Sequence, residues 1–181
     1  MAEKKIEVFD LKGAGERLAR SDSHLQYSHI LSIGDPESKE PESLYHPQRK
    51  VLRLEFADIN SFVAKYMGNT NESSELPQKS QVERAIVFLR EFLAATDTTG
   101  LLIHCFAGVS RSTAMALIAC YLMLGDEEKA REKLYSIRPQ AIPNSWVIQY
   151  ADEILGSNLY PVAESIAETR IQKLIHSTEE Q

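Results

Sequence analysis

The chain has 181 residues, 43% apolar and 25% charged, and 20 basic against 26 acidic side chains give a formal charge of −6. That size fits one domain, taken as 1–181, able to bury a substantial core. The acidity argues against a general affinity for nucleic acid or anionic membrane, and no run reaches the ~18 apolar residues of a membrane span. The N-terminal MAEKKIEVFD has lysines but no apolar stretch behind them, so it does not read as a secretory signal. Two cysteines are too few for a disulfide framework. The expected location is cytoplasmic, with Cys105 and Cys120 reduced.

Ile6 to Phe9 is β-like, and Lys12 to Ala19 reads as a short helix. Ser28 to Ile33 (SHILSI) reads as a buried strand closed by Gly34-Asp35-Pro36, a turn signal. Residues 36–50 hold three prolines and read as a surface loop. Val51 to Phe56 (VLRLEF) alternates apolar and charged residues, the pattern of a strand with one buried face. Residues 66–79 are rich in Asn, Ser, Glu and Gly and read as a loop. Ser80 with Glu83 has capping-box spacing, and Val82, Ala85, Ile86, Leu89 and Leu93 recur at helical spacing, which predicts a helix over Ser80–Ala95.

Leu101 to His104 is a short apolar strand, and Arg111 to Leu124 an apolar helix ended by Gly125. Asp126 to Ile137 predicts a further helix with Ala130, Leu134 and Ile137 inward, stopped by Pro139. Asn144 or Ser145 caps another, running to Leu155. Residues 163–175 form a last helix, on the surface or frayed. Alternating strands and helices followed by helices predict an α/β domain with a central, mostly parallel or mixed sheet flanked by helices.

The chemistry concentrates in "LLIHCFAGVSRSTAMALIACYLM", residues 101–123. A strand, a tight loop and a helix start make an anion site, because loop amides converge and the helix N-terminus adds partial positive charge. Phe106, Ala107, Gly108, Val109 and Ser110 supply the amides, and Arg111 a planar fork matched to two phosphate oxygens. Gly108 lets the loop turn. The dipole, the amides and Arg111 all favour the thiolate of Cys105, the nucleophilic form. Attack on phosphorus gives a thiophosphate intermediate. Ser112 can donate its hydroxyl to the sulfur, and His104 can hold the loop by its ring N–H. A cysteine in an apolar run is ordinarily a small core residue, the expectation for Cys120. The string His-Cys-x5-Arg-Ser between strand and helix sets Cys105 apart.

This string resembles the HCx5R(S/T) signature of the cysteine-dependent protein phosphatases. Residues 104–123 look most like the dual-specificity branch, as do "IRPQAIPNSWVIQYADEI" (137–154) and "SHILSI". The resemblance covers about 28–155, leaving 156–181 as a C-terminal extension expected to be helical. In overall cast the chain looks like a small bacterial tyrosine phosphatase. The resemblance implies a dual-specificity phosphatase-like fold (phosphotyrosine phosphatase II type), hydrolysis of phosphate monoesters, no metal and no cofactor. It also implies an upstream Asp as general acid. That acid follows a strand like VLRLEF, which points to Asp58, although it precedes Cys105 by more residues than the branch usually shows. A carboxylate on the 66–79 loop, Glu72 or Glu75, is one alternative, and no side-chain acid at all is the other. Asn144 is expected to cap its helix and to bond back to the catalytic loop, and Trp146 to pack in the core.

The neutral loop has no lysine for a highly charged inositol headgroup, so a phosphorylated protein or another monoester is the expected partner. The alternative is a pseudophosphatase module that holds phosphorylated partners without turnover.

Overall fold

The computed structural model describes residues 4–62 and 76–179. Four strands form one sheet: β1 (Lys5–Phe9), β2 (His29–Gly34), β3 (Lys50–Glu55) and β4 (Gly100–His104). Their order is β1-β4-β2-β3, and all three pairings are parallel. A parallel sheet needs crossovers that cover its faces. Here α1 (Leu11–Leu18) and α2 (Ser23–Gln26) precede β2, α3 (Lys79–Ala94) precedes β4, and α4 (Arg111–Leu124), α5 (Glu127–Ile137), α6 (Ser145–Leu155) and α7 (Leu159–Glu179) follow it.

The strand alternation sorts the core into two layers. Leu31, Ile33, Leu101 and Ile103 face the larger layer, built with α3 to α7, while Ile30 and Leu102 face a smaller one with Ala14, Leu18, Tyr27 and Leu44. Helix α4 runs through the larger layer and is buried from Arg111 to Cys120. That explains its apolar residues on all sides. Cys120 is a core residue, and burial pushes its thiol up to about 12.

The expected elements recur with shifted ends. Helix α3 starts at Lys79, not Ser80. The cap is Gln78, whose N–H donates to Gln81 Oε1 at 2.8 Å, so a Gln pair takes the place of the Ser80–Glu83 box. The last helix is neither confined to 163–175 nor a frayed surface piece. It spans Leu159–Glu179 and buries Leu159, Ala163, Ile166, Ala167 and Ile171, an i, i+4, i+7, i+8 stripe packed on the core. Its start is fixed by Asp152, which accepts from Leu159 N and Tyr160 N, both at 2.8 Å, and from Ser157 Oγ at 2.6 Å. Ile137 is partly buried, and Trp146 is half-buried rather than a core side chain. The loop expected over 66–79, with Glu72 and Glu75, falls outside the described residues except at 76–79. Among the described residues no helix is long and apolar enough to cross a membrane.

All four strands end on the same edge of the sheet. Strand β4 lies between β1 and β2 although it comes last in the chain, so its carboxyl end meets the ends of strands from both halves. Such a switch point leaves a crevice at the strand ends.

Candidate active site

Cys105 directly follows β4 and is buried. Its sulfur lies 3.1 Å from Ser112 Oγ and accepts the Gly108 N–H at 3.2 Å. The loop from Phe106 to Ser110 turns four of its carbonyls outward, one onto the first helix and three onto the segment between α5 and α6. Phe106 O accepts from Leu11 N at 3.0 Å, Gly108 O from Arg138 Nε at 2.9 Å, Val109 O from Ile142 N at 2.9 Å, and Ser110 O from Asn144 N at 3.2 Å. A trans peptide points its N–H opposite to its C=O. The amides of Ala107, Val109, Ser110 and Arg111 are therefore turned to the inside of the loop, the concavity that favours an oxyanion. Helix α4 adds its N-terminal dipole there.

Gly108 has φ +66, and a Cβ there would lie 2.7 Å from Asp10 N and 2.8 Å from the Phe9 carbonyl carbon. Glycine is needed because the loop is pressed against the end of β1, as well as for the turn itself.

The Arg111 side chain is 2% exposed. Its Nη1 donates to Asp35 Oδ1 at 2.9 Å and to Phe56 O at 2.8 Å. Its Nε has no hydrogen-bond partner; Asp58 Oδ2 is 3.5 Å away, an ion-pair contact without hydrogen-bond geometry. A buried guanidinium donor left open beside inward amides is the feature an oxyanion would satisfy.

The structure brings Asp58 to this site. Its Oδ1 accepts from Ser110 Oγ at 2.6 Å and from Asn144 Nδ2 at 3.3 Å. Asn144 caps α6, with Oδ1 accepting from Val147 N at 3.3 Å, and its Nδ2 also reaches Ile59 O at 2.8 Å. Both expected tasks of Asn144 are therefore present.

His104 differs from expectation. Neither ring nitrogen has a hydrogen-bond partner, so the ring does not hold the loop by its N–H. A polar contact to the Cys105 backbone falls short of hydrogen-bond geometry. Burial, with the charge of Arg53 beside it, pushes the ring down to about 4 and keeps it neutral.

Three residues here carry no sequence-level assignment. Asp35 reads as a turn residue in "SIGDPES". Arg138 belongs to "IRPQ" but shows no role until its contact with Gly108 O is seen. Asn60, buried, ties the segment after β3 to Ile142 O at 3.3 Å and Pro143 O at 3.1 Å. A polar residue just past a strand was the only available signal for Asp35 and Asn60, and it does not separate them from ordinary solvated positions.

No profile of a known protein family matches the chain. Dual specificity protein phosphatase 12 of Rattus norvegicus is 30% identical over 101 residues, 52% of this chain and 28% of that protein. The chain thus spans less than a third of that relative's length. The structure of DUSP15 aligns with 95% of this chain and 94% of its own at a TM-score of 0.57 and 21% identity. The human tyrosine phosphatase-like serine/threonine/tyrosine-interacting protein aligns with 83% of this chain and 91% of its own at 0.59 and 18%. The sheet, the helices and the loop after β4 together make this the dual-specificity phosphatase fold.

Proposed function

We propose that this chain hydrolyses phosphate monoesters, with phosphorylated protein as substrate and phosphotyrosine or dual specificity, through a cysteinyl-phosphate intermediate. The observation that carries the reading is the buried Cys105 sulfur beneath inward-facing amides, beside the open Nε of Arg111. Phosphoryl oxygens take the amides and Arg111, and these donors stabilise charge as it spreads over the oxygens in the transition state. The Cys105 thiolate attacks phosphorus, the P–O ester bond breaks, and Asp58 gives its proton to the leaving oxygen. Water then attacks phosphorus, Asp58 takes the water proton, and the P–S bond breaks to return the thiolate to its hydrogen bonds with Ser112 and Gly108. The reading needs neither metal nor cofactor, and a cytoplasmic location, where both free cysteines remain thiols, is part of the proposal.

The test is turnover of an aryl phosphate without added metal. Cys105→Ser should abolish it and Arg111→Lys should reduce it severely. Activity surviving Cys105→Ser sinks the mechanism.

One relative in fold is named an interacting protein, which favours a second reading: a module that binds phosphorylated partners without turning them over. Phosphate binding with neither a burst nor steady turnover would select it.

A further inference from the structure

Arg111 is held by a residue outside the signature. Its Nη1 is shared by Asp35 just past β2 and by the Phe56 carbonyl just past β3. These two strands are hydrogen-bonded neighbours, and Phe56 N donates to Gly34 O at 3.0 Å, so both acceptors sit on one rigid ledge. We propose that Asp35 is a positioning residue that sets the plane of the Arg111 guanidinium, so that its Nε–Nη2 edge faces the phosphate cradle. This rests on the phosphatase reading above.

The guanidinium is planar, so two acceptors on one terminal nitrogen fix both its direction and its plane. What they fix it against is visible. Asp58 lies on the opposite edge, with Oδ2 3.5 Å from Nε. Arg111 therefore stands between two carboxylates, one before each strand crossover. Asp35 draws it back onto the ledge, and Asp58 would draw it across the fork that a phosphate needs. Without Asp35 only the Phe56 carbonyl opposes Asp58. The Asp35 side chain is 54% exposed while Arg111 is buried, so it neutralises the arginine from the rim without filling the cradle. Among the described residues no other side chain pairs with the Asp35 carboxylate.

Positioning and bulk electrostatics predict opposite signs. Removing an anion next to an anion site should tighten phosphate binding if only charge matters. Removing a positioning residue should weaken it. The experiment is calorimetric binding of tungstate and inorganic phosphate to the whole chain, with aryl phosphate turnover alongside. Asp35→Ala should weaken tungstate about tenfold, the scale of one charge-assisted hydrogen bond lost from a site. Asp35→Asn keeps an acceptor oxygen for Nη1 and should stay within about threefold of wild type. In an Arg111→Lys background Asp35→Ala should change nothing further, since coupled residues are not additive. Tighter or unchanged binding in Asp35→Ala, or full additivity with Arg111→Lys, overturns the proposal. A wild-type protein that binds tungstate in this Asp35-dependent way but never turns over would leave the positioning role standing and remove the phosphatase reading.

Discussion

Ser112 Oγ lies 3.1 Å from Cys105 Sγ, and both residues are fully buried. In the proposed cycle this contact matters most when sulfur leaves phosphorus. A hydrogen bond to a charged group contributes roughly 1.5–3 kcal/mol, so Ser112→Ala should slow breakdown of the intermediate by about ten- to a hundredfold. Rapid mixing with an aryl phosphate should show a fast burst followed by a depressed steady rate. A steady rate equal to wild type removes Ser112 from the second step.

Asp58 is expected to matter in proportion to how poor the leaving group is. Asp58→Asn should lower kcat on alkyl phosphates by about 10²–10⁴-fold, the usual contribution of a general acid. It should affect a nitrophenyl ester far less, since that leaving group needs little protonation. Unchanged turnover of alkyl phosphates by Asp58→Asn would move the role to another carboxylate.

Local pattern explains why the centre of this site was legible and its rim was not. Cys105, Ser112 and Arg111 lie within one contiguous strand, loop and helix, and strand and helix periodicity frames them. Asp35 meets Arg111 across 76 residues of sequence. Nothing local to "GDPES" encodes that meeting, which depends on β2 and β3 lying side by side. Ser80 and Glu83 have capping spacing, yet the backbone already turns helical at Lys79, so local spacing points past the true cap of α3. The long terminal helix carries a weak sequence signal because two of the five residues in its buried stripe, Ala163 and Ala167, are small.

His104 should make the protein sensitive to mild acid. Its folded value, about 4, lies below the ordinary imidazole value of 6.5. As pH falls below 6.5 the unfolded chain takes up a proton that the folded ring refuses, so stability present at neutral pH is lost until about pH 4 and then levels off. The full effect is roughly 3 kcal/mol. His29, also pushed down by burial, adds to the same slope. Thermal unfolding of His104→Asn across this window should show a visibly flatter dependence than wild type. Parallel curves would mean that the ring is already solvated.

Cys120 should be chemically silent. With its thiol at about 12 and no exposed surface, native protein treated with iodoacetamide near pH 7.5 should carry no label at Cys120. Peptide mapping after denaturation should recover it fully. Labelling of Cys120 in native protein would show that α4 opens locally.

Asp152 should be a stability residue with no part in chemistry. Asp152→Ala removes three acceptor contacts at the start of α7 and should cost about 1–2 kcal/mol, the range for a lost N-terminal cap. Chemical denaturation would register it as a lower midpoint with an unchanged slope. Wild-type stability would mean that the buried stripe alone holds the helix.

The four outward carbonyls of the loop after Cys105 are fastened to Leu11, Arg138, Ile142 and Asn144, which belong to the first helix and to the segment between α5 and α6. An oxyanion seated in that loop is thus tied, at one remove, to distant stretches of the chain at once. Saturating tungstate should raise the melting temperature by mass action and slow proteolytic nicking near residues 10–15 and 138–145, far along the chain from Cys105. The pocket would then double as a clasp, and occupancy could be read by any probe of early- or late-chain order.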